Sequence, residues 1–384
     1  MPNGRQKIEA AFSESGSSEF AAVDFWEYVF VRDHWEQLTD VPWYHQFSPD
    51  LETQLAWRRE VFACTRQDFV HVEPFYSRQE RENLLLDVQP SGVFLLDRAS
   101  GQSRKLEPPV PGGWSRTGQV ESVTTPGLPT TPDELDAAVR LLPTGQDRGL
   151  AEDGRADLAR ALVKEHGLQR FPVAYADAPL WYLYELWGFE GMMLMIGGQP
   201  ELVKRACPHC TARALDDIRQ AAILGASGVL IWECFSDMIS LDAYETFSVP
   251  CMREVVAECR SLGLKSIYGF SGNPAGKLEA ICSIGADALA FEESKKGFVV
   301  DIHELAAFID GRCTLFGNLE AISVLQDGSE ADLRGAVAEQ IAAGRRNQNR
   351  FVVSPGSPVT PATPVERVGL FCDLVHELSQ KENA

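Results

Sequence analysis

Residues 228–234 read GVLIWEC, residues 264–270 read LKSIYGF, and between them 241–262 carries apolar residues at helical spacing. An apolar run, a helix and a second apolar run make a strand–helix–strand crossover, the connection that joins parallel strands. The pattern repeats outward in both directions. Towards the carboxyl terminus the runs are 286–292 (ADALAFE), 312–317 (RCTLFG) and 350–354 (RFVVS). Helical stretches follow 264–270 and these three runs at 274–284, 301–310, 329–344 and 364–378. Towards the amino terminus, 171–175 (FPVAY) leads into helical stretches at 181–189 and 200–224. Two further candidates lie upstream, 20–26 (FAAVDFW) and 68–73 (DFVHVE). Eight unidirectional units predict an α/β fold, a (β/α)8 TIM barrel. The rival, an open doubly wound sheet, lacks the Gly-x-Gly-x-x-Gly turn expected after its first strand.

The rhythm is interrupted once. Residues 92–97 (GVFLLD), a Gly101-containing turn and 102–106 (QSRKL) read as a β-hairpin inside an insertion over 88–130. It reads equally as a lid, as a contact that would build a homodimer, or as a structurally neutral excursion. Residues 1–18 are expected to form a helical extension of a single 1–384 barrel domain.

The 384 residues are 45% hydrophobic, enough for a large core, and 55 acidic against 35 basic residues give a formal net charge of -20. That field argues against nucleic-acid and membrane partners and for a small-molecule substrate. No apolar run is long enough to span a bilayer and the first residues lack a signal-peptide core, so a cytoplasmic location is expected. Nine cysteines, an odd number, do not suggest a disulfide framework. Cys207-Pro208-His209-Cys210 has redox-motif spacing but falls inside a helical stretch rather than at the start of one, which argues against a thioredoxin-like role.

In such a barrel the residues after each strand converge on one mouth. They are Trp26 and Glu27, His71 and Glu73, Tyr175 and Asp177, Glu233, then Ser271 and Asn273, Glu292, Asn318 and Ser357. Carboxylates about 4 Å apart repel by roughly 4 kcal/mol at an effective dielectric of 20, so convergence implies raised pKa values, a metal or a cationic ligand. Glu233, Glu292 and Asp177 are therefore the catalytic candidates. Tyr175, His71, Glu73, Ser271, Asn273, Asn318 and Ser357 are candidates for binding substrate. Trp26 is a candidate wall, and Arg78, next to Arg81, a candidate clamp for a carboxylate.

Gly317-Asn318-Leu319-Glu320, Leu325-Gln326-Asp327-Gly328-Ser329 and Ser354-Pro355-Gly356-Ser357, continued by Pro361-Ala362-Thr363-Pro364, resemble a segment of the uroporphyrinogen decarboxylase superfamily. Ser271-Gly272-Asn273 and Ile284-Gly285-Ala286-Asp287-Ala288 fit the same pattern. The resemblance covers residues 171–378 well and the amino-terminal third loosely. It implies a (β/α)8 barrel, and either decarboxylation of a ring-borne carboxylate or methyl transfer linked to a corrinoid protein. The zinc methyltransferases of that group carry His-x-Cys-Gly after the fifth strand and Pro-Gly-Cys after the eighth; here those positions read Gly269-Phe270-Ser271-Gly272 and Pro355-Gly356-Ser357. Hydroxyls replace both thiolates, so a zinc–thiolate site is not expected, while a carboxylate-bound metal stays open. The Arg-Gln-Ala-Gly-Arg loop of the decarboxylases is also missing. Trp26-Glu27 and Val41-Pro42-Trp43 resemble the methyltransferase and demethylase members more closely. The expectation is methyl transfer or demethylation of a small substrate. Decarboxylation and a non-catalytic barrel that binds a tetrapyrrole or corrinoid are the alternatives.

Overall fold

The computed structural model describes residues 1–112, 127–295 and 297–381. Seven parallel strands form one sheet in the order β1 (Phe69–His71), β5 (Phe171–Asp177), β6 (Gly228–Glu233), β7 (Lys265–Phe270), β8 (Ala288–Phe291), β9 (Thr314–Phe316) and β10 (Phe351–Val352). The run expected as the first strand, 20–26, contributes only a bridge, Ala22 to Val353. It nevertheless closes the barrel. Val23 N–H donates to Val353 O, Val353 N–H to Ala21 O, and Asp68 N–H to Ala22 O. The eighth position is thus held by backbone bonds to both edge strands. Asp24 ends regular pairing there, because its amide donates to the Gln67 side chain (3.0 Å) rather than to a neighbouring strand.

Alternation along each strand sorts side chains into two cores. Phe69, Phe171, Val173, Leu230, Trp232, Ile267 and Phe316 point into the barrel, whereas Val229, Ile231, Tyr268 and Leu289 face the surrounding helices. The amino-terminal helix Gly4–Ala11 closes the bottom, where the Phe12 ring packs against Phe171 and Phe316 at 5.9 and 6.4 Å. Aromatic packing fills the barrel below, so any chemistry is confined to the carboxyl ends of the strands.

The helices depart from expectation in places. The stretch 241–262 divides into Leu241–Phe247 and Val249–Ser261 at Ser248-Val249-Pro250, where proline lacks the amide a continuous helix needs. The helix expected at 274–284 shortens to Leu278–Ser283. The first helix after β5 extends to Gly198 and kinks at Gly188, whose φ of 68° suits glycine. The hairpin, β3 (Gly92–Asp97) with β4 (Ser103–Leu106), gains a third antiparallel strand, β2 (Leu84–Gln89), which starts ahead of the expected insertion. Residues 113–126 of that insertion lie outside the described residues.

Candidate active site

β1 is three residues long and β5 seven, so above the pair His71–Val173 the two strands diverge. The gap opens into a cavity of about 670 Å³. Helix Glu27–Leu38, the 3-10 turn Trp43–Phe47 and helix Leu51–Thr65 roof it, and helix Pro200–Leu224 forms its far wall through Asp217 and Gln220. Tyr28, Phe47, Trp57, Phe75, Tyr76 and Tyr175 supply aromatic surface, and Glu27, Arg58, His71 and Glu73 are ionisable side chains in the lining.

Several polar groups there are held by named partners. Gln67 accepts from Asp24 N–H and donates through Nε2 to the Glu27 carboxylate, which fixes its amide orientation. His71 Nε2 lies 3.0 Å from Asp24 O, which can only accept, so that nitrogen carries the proton. The His71 ring stacks on Tyr175 at 5.9 Å, and the Tyr175 hydroxyl donates to Phe25 O. Arg58 lies 3.9 Å over the Trp57 ring and 3.8 Å from Glu73.

Enclosure sets the electrostatics. Burial pushes the Glu27 carboxyl up to about 7, against the lowering influence of Arg58, Arg170 and the Gln67 amide. Glu27 keeps some surface and lines the cavity. Burial likewise raises Asp24 to about 6, opposed by its hydrogen bond from Trp26 N–H and by nearby His71. Two carboxyl groups that titrate near neutrality can give and take protons at physiological pH.

A second polar group sits across the mouth over β6 to β8. Trp232 Nε1 donates to Ser271 Oγ at 2.6 Å, and Glu292 accepts from Ser271 and from Gly272 N–H. Burial raises the Glu292 carboxyl. Trp26 lies between the two groups, with its ring 4.5 Å from Trp232. Asp177 ends β5 within electrostatic range of Asp217, Glu185 and Arg213; burial first and those two acids second raise it to about 7.

The structure therefore gathers His71, Glu73 and Tyr175 around one cavity and brings Trp26, Asp177, Ser271 and Glu292 to the same mouth. Several expectations are corrected. Glu233 faces outward, because Trp232 and Cys234 on either side of it face inward. It is fully buried in the helix layer and accepts from Ser236, Ser248 and Tyr268 at 2.6, 2.7 and 3.1 Å. Asn318 is buried too; its amide donates to Glu292 O and Val300 O and accepts from Gln340, so it ties loops together. Asn273 caps its own turn through Ala275 N–H, and Ser357 accepts from Lys295. Arg78 and Arg81 both bind Asp157, away from the cavity lining, which leaves Arg78 no role as a carboxylate clamp there.

Asp24 and Arg58 were missed. An acid inside the apolar stretch FAAVDFW was a usable signal for Asp24. Nothing local in the sequence marks Arg58, which reaches the cavity from a helix otherwise indistinguishable from its neighbours.

The zinc–thiolate donor set does not fit this mouth. A Cβ at Gly269 would meet the Trp232 ring at 2.1 Å, so indole occupies the space an imidazole would need. The Ser271 hydroxyl is engaged by the same indole. Among the described residues no group of three or more His, Cys, Asp or Glu side chains is arranged to hold a metal ion, so the open expectation of a carboxylate-bound metal gains no ligand set. No helix among them is long and apolar enough to cross a membrane.

A sequence profile described as Uroporphyrinogen decarboxylase (URO-D) matches residues 154–378, more than half of the chain. The chain belongs to the URO-D family. Similar proteins include the uroporphyrinogen decarboxylase of Cupriavidus necator, 28% identical over 250 residues, or 60% of this chain and 65% of that protein. That of Ralstonia nicotianae is 25% identical over 260 residues, 64% of this chain and 69% of the relative. The chain thus spans slightly under two thirds of the first of these URO-D relatives. Over its whole length the fold resembles a methyltransferase from Methanosarcina mazei, with a TM-score of 0.64, 15% identity and coverage of 98% and 99% of the two chains. That likeness shows the fold alone. The family profile begins at residue 154, so Asp24, Glu27, Arg58 and His71 all come from the part of the chain it does not cover.

Proposed function

We propose that this URO-D family member moves a methyl group from a small, flat substrate held in the cavity over β1 and β5, with Glu27 handling the proton. The observation that carries this reading is the cavity lining. It holds two acids, Glu27 and Glu73, with Asp217 on the far wall, but a single guanidinium, Arg58, already beside Glu73. A substrate bearing many carboxylates needs clustered cations, and its charges would lie against these acids. A neutral or cationic methyl donor meets no such repulsion, and the aromatic wall suits a flat one. In demethylation the methyl passes to an acceptor nucleophile while the leaving oxygen or nitrogen takes a proton. Protonated Glu27 supplies it, a role supported by its raised pKa and by the Gln67 hydrogen bond that orients it. Glu292 and Ser271 line the opposite side of the mouth, where a methyl acceptor such as a corrinoid borne by a partner protein would approach.

Arg58 supports a second reading, removal of one ring-borne carboxylate held by that guanidinium, in keeping with the activity named for the relatives. Panels of O- and N-methyl donors with thiol and reduced-corrinoid acceptors, run beside aromatic carboxylates and scored by mass spectrometry, separate the two. Demethylated product that disappears in Glu27→Gln supports methyl transfer. Carbon dioxide release without any demethylation refutes it. Ligand binding without turnover of either kind refutes both and leaves a binding barrel.

A further inference from the structure

The spacing of Cys207 and Cys210 suggested a pair that the helix does not make. Both lie on Pro200–Leu224, but Cys210 is buried in the core while Cys207 keeps partial exposure in a separate groove of about 270 Å³. That groove runs between this helix and the start of helix Val249–Ser261, and Thr211, Thr246, Pro250 and Cys251 also line it. The Cys207 sulfur lies 3.8 Å from Phe247 O. Its thiol is in hydrogen-bonding contact with that of Cys251, which also receives a hydrogen bond from Thr211. The partner of Cys207 is thus a residue 44 positions away, on the neighbouring helix.

We infer that Cys207 and Cys251 form a reversible dithiol–disulfide site, open to small disulfides through this groove. The geometry brings the two sulfurs together on helices that already pack against each other. Hydrogen bonding from Cys207, then from Thr211, favours the Cys251 thiolate against the opposing effect of burial, so Cys251 is the attacking sulfur. It displaces one thiol from a glutathione-type disulfide to give a mixed disulfide. Cys207 then gives up its proton, attacks the Cys251 sulfur and expels the second thiol. One small disulfide becomes two thiols, and the chain loses two hydrogens. The new bond would staple helix Val249–Ser261 to Pro200–Leu224, which carries Asp217, Gln220, Ala221 and Leu224 of the mouth cavity. The redox state of the groove therefore bears on one wall of the candidate active site.

The test equilibrates the folded, full chain with graded ratios of oxidised and reduced glutathione, traps free thiols by alkylation and maps the peptides by mass spectrometry. The expected result is one intramolecular bridge, Cys207 to Cys251, reversed by excess reduced glutathione. Cys207→Ser and Cys251→Ser should each abolish it and Cys210→Ala should keep it. The melting temperature of the unaltered chain should rise on oxidation, and that of the two serine variants should not. A glutathione adduct that never resolves, a bridge to Cys210, a bridge formed only in denaturant, or no reaction would each overturn the inference. The mapping uses the unaltered chain, so it does not depend on a variant folding.

Discussion

Glu27 is a carboxyl whose folded-state pKa, about 7, lies above its ordinary 4.5 because the cavity desolvates it. Between those values the folded chain holds a proton that the unfolded chain has released. Stability therefore falls as pH rises from about 4.5 to about 7, by on the order of 3 kcal/mol at most. Glu27→Gln removes that titration. Its melting temperature should exceed that of the unaltered chain at pH 8 and the gap should close by pH 4, as followed by thermal unfolding. The same change should cut turnover roughly 10²- to 10⁴-fold, the usual range for a lost general acid. In the unaltered chain, turnover should decline above pH 7 as the acid form empties. Glu233 makes the opposite case. Glu233→Ala leaves three hydroxyls without their acceptor and a void between strand and helices. The expected loss is about 2–4 kcal/mol in chemical denaturation, with kcat of the folded fraction unchanged. A large fall in kcat at intact stability would restore Glu233 to the catalytic list.

At the scale of elements, barrel closure depends on how residues 20–24 are held. A single bridge joins them to Val353, just past β10, and on the other side Asp68 holds them: its Oδ2 accepts from Ala22 N–H and from His376 Nε2, both at 2.8 Å. A single carboxylate thus ties the eighth position of the barrel to the last helix, Val365–Lys381. Asp68→Ala orphans the buried Ala22 amide and should cost about 1–3 kcal/mol. The sharper readout is hydrogen exchange, which should accelerate at Ala22 and Val353 ahead of β6 and β7 in the centre of the sheet. Uniform acceleration through all strands would show that closure is not governed locally. Because Asp24 ends this segment and Glu27 follows shortly after it, the variant should also raise KM for the substrate.

At the scale of the whole molecule, a net charge of -20 surrounds a mouth whose own lining is acidic. A polycarboxylated porphyrin should therefore bind weakly, and its affinity should rise with added salt as repulsion is screened; an absorbance titration at two ionic strengths measures this. Affinity that falls with salt would reveal a cationic site and favour the decarboxylase reading. The sequence by itself determined the barrel. Strand and helix periodicities are local, and six consecutive crossover units, with β1 (Phe69–His71) upstream, admit few other arrangements of a parallel sheet. It also determined that the zinc donors are missing, since Gly269, Ser271 and Ser357 are simply other residues. Tertiary structure alone decided which acids belong to the site. A shift of one position along a strand reverses the face, so Glu292 reaches the mouth while Glu233 is turned into the helix layer. Three-dimensional packing likewise chose Cys251 over Cys210 as the neighbour of Cys207, and brought Arg58 and Gln67 to Glu27. Those neighbours are set by how helices pack on the barrel, a long-range outcome that no window of sequence contains.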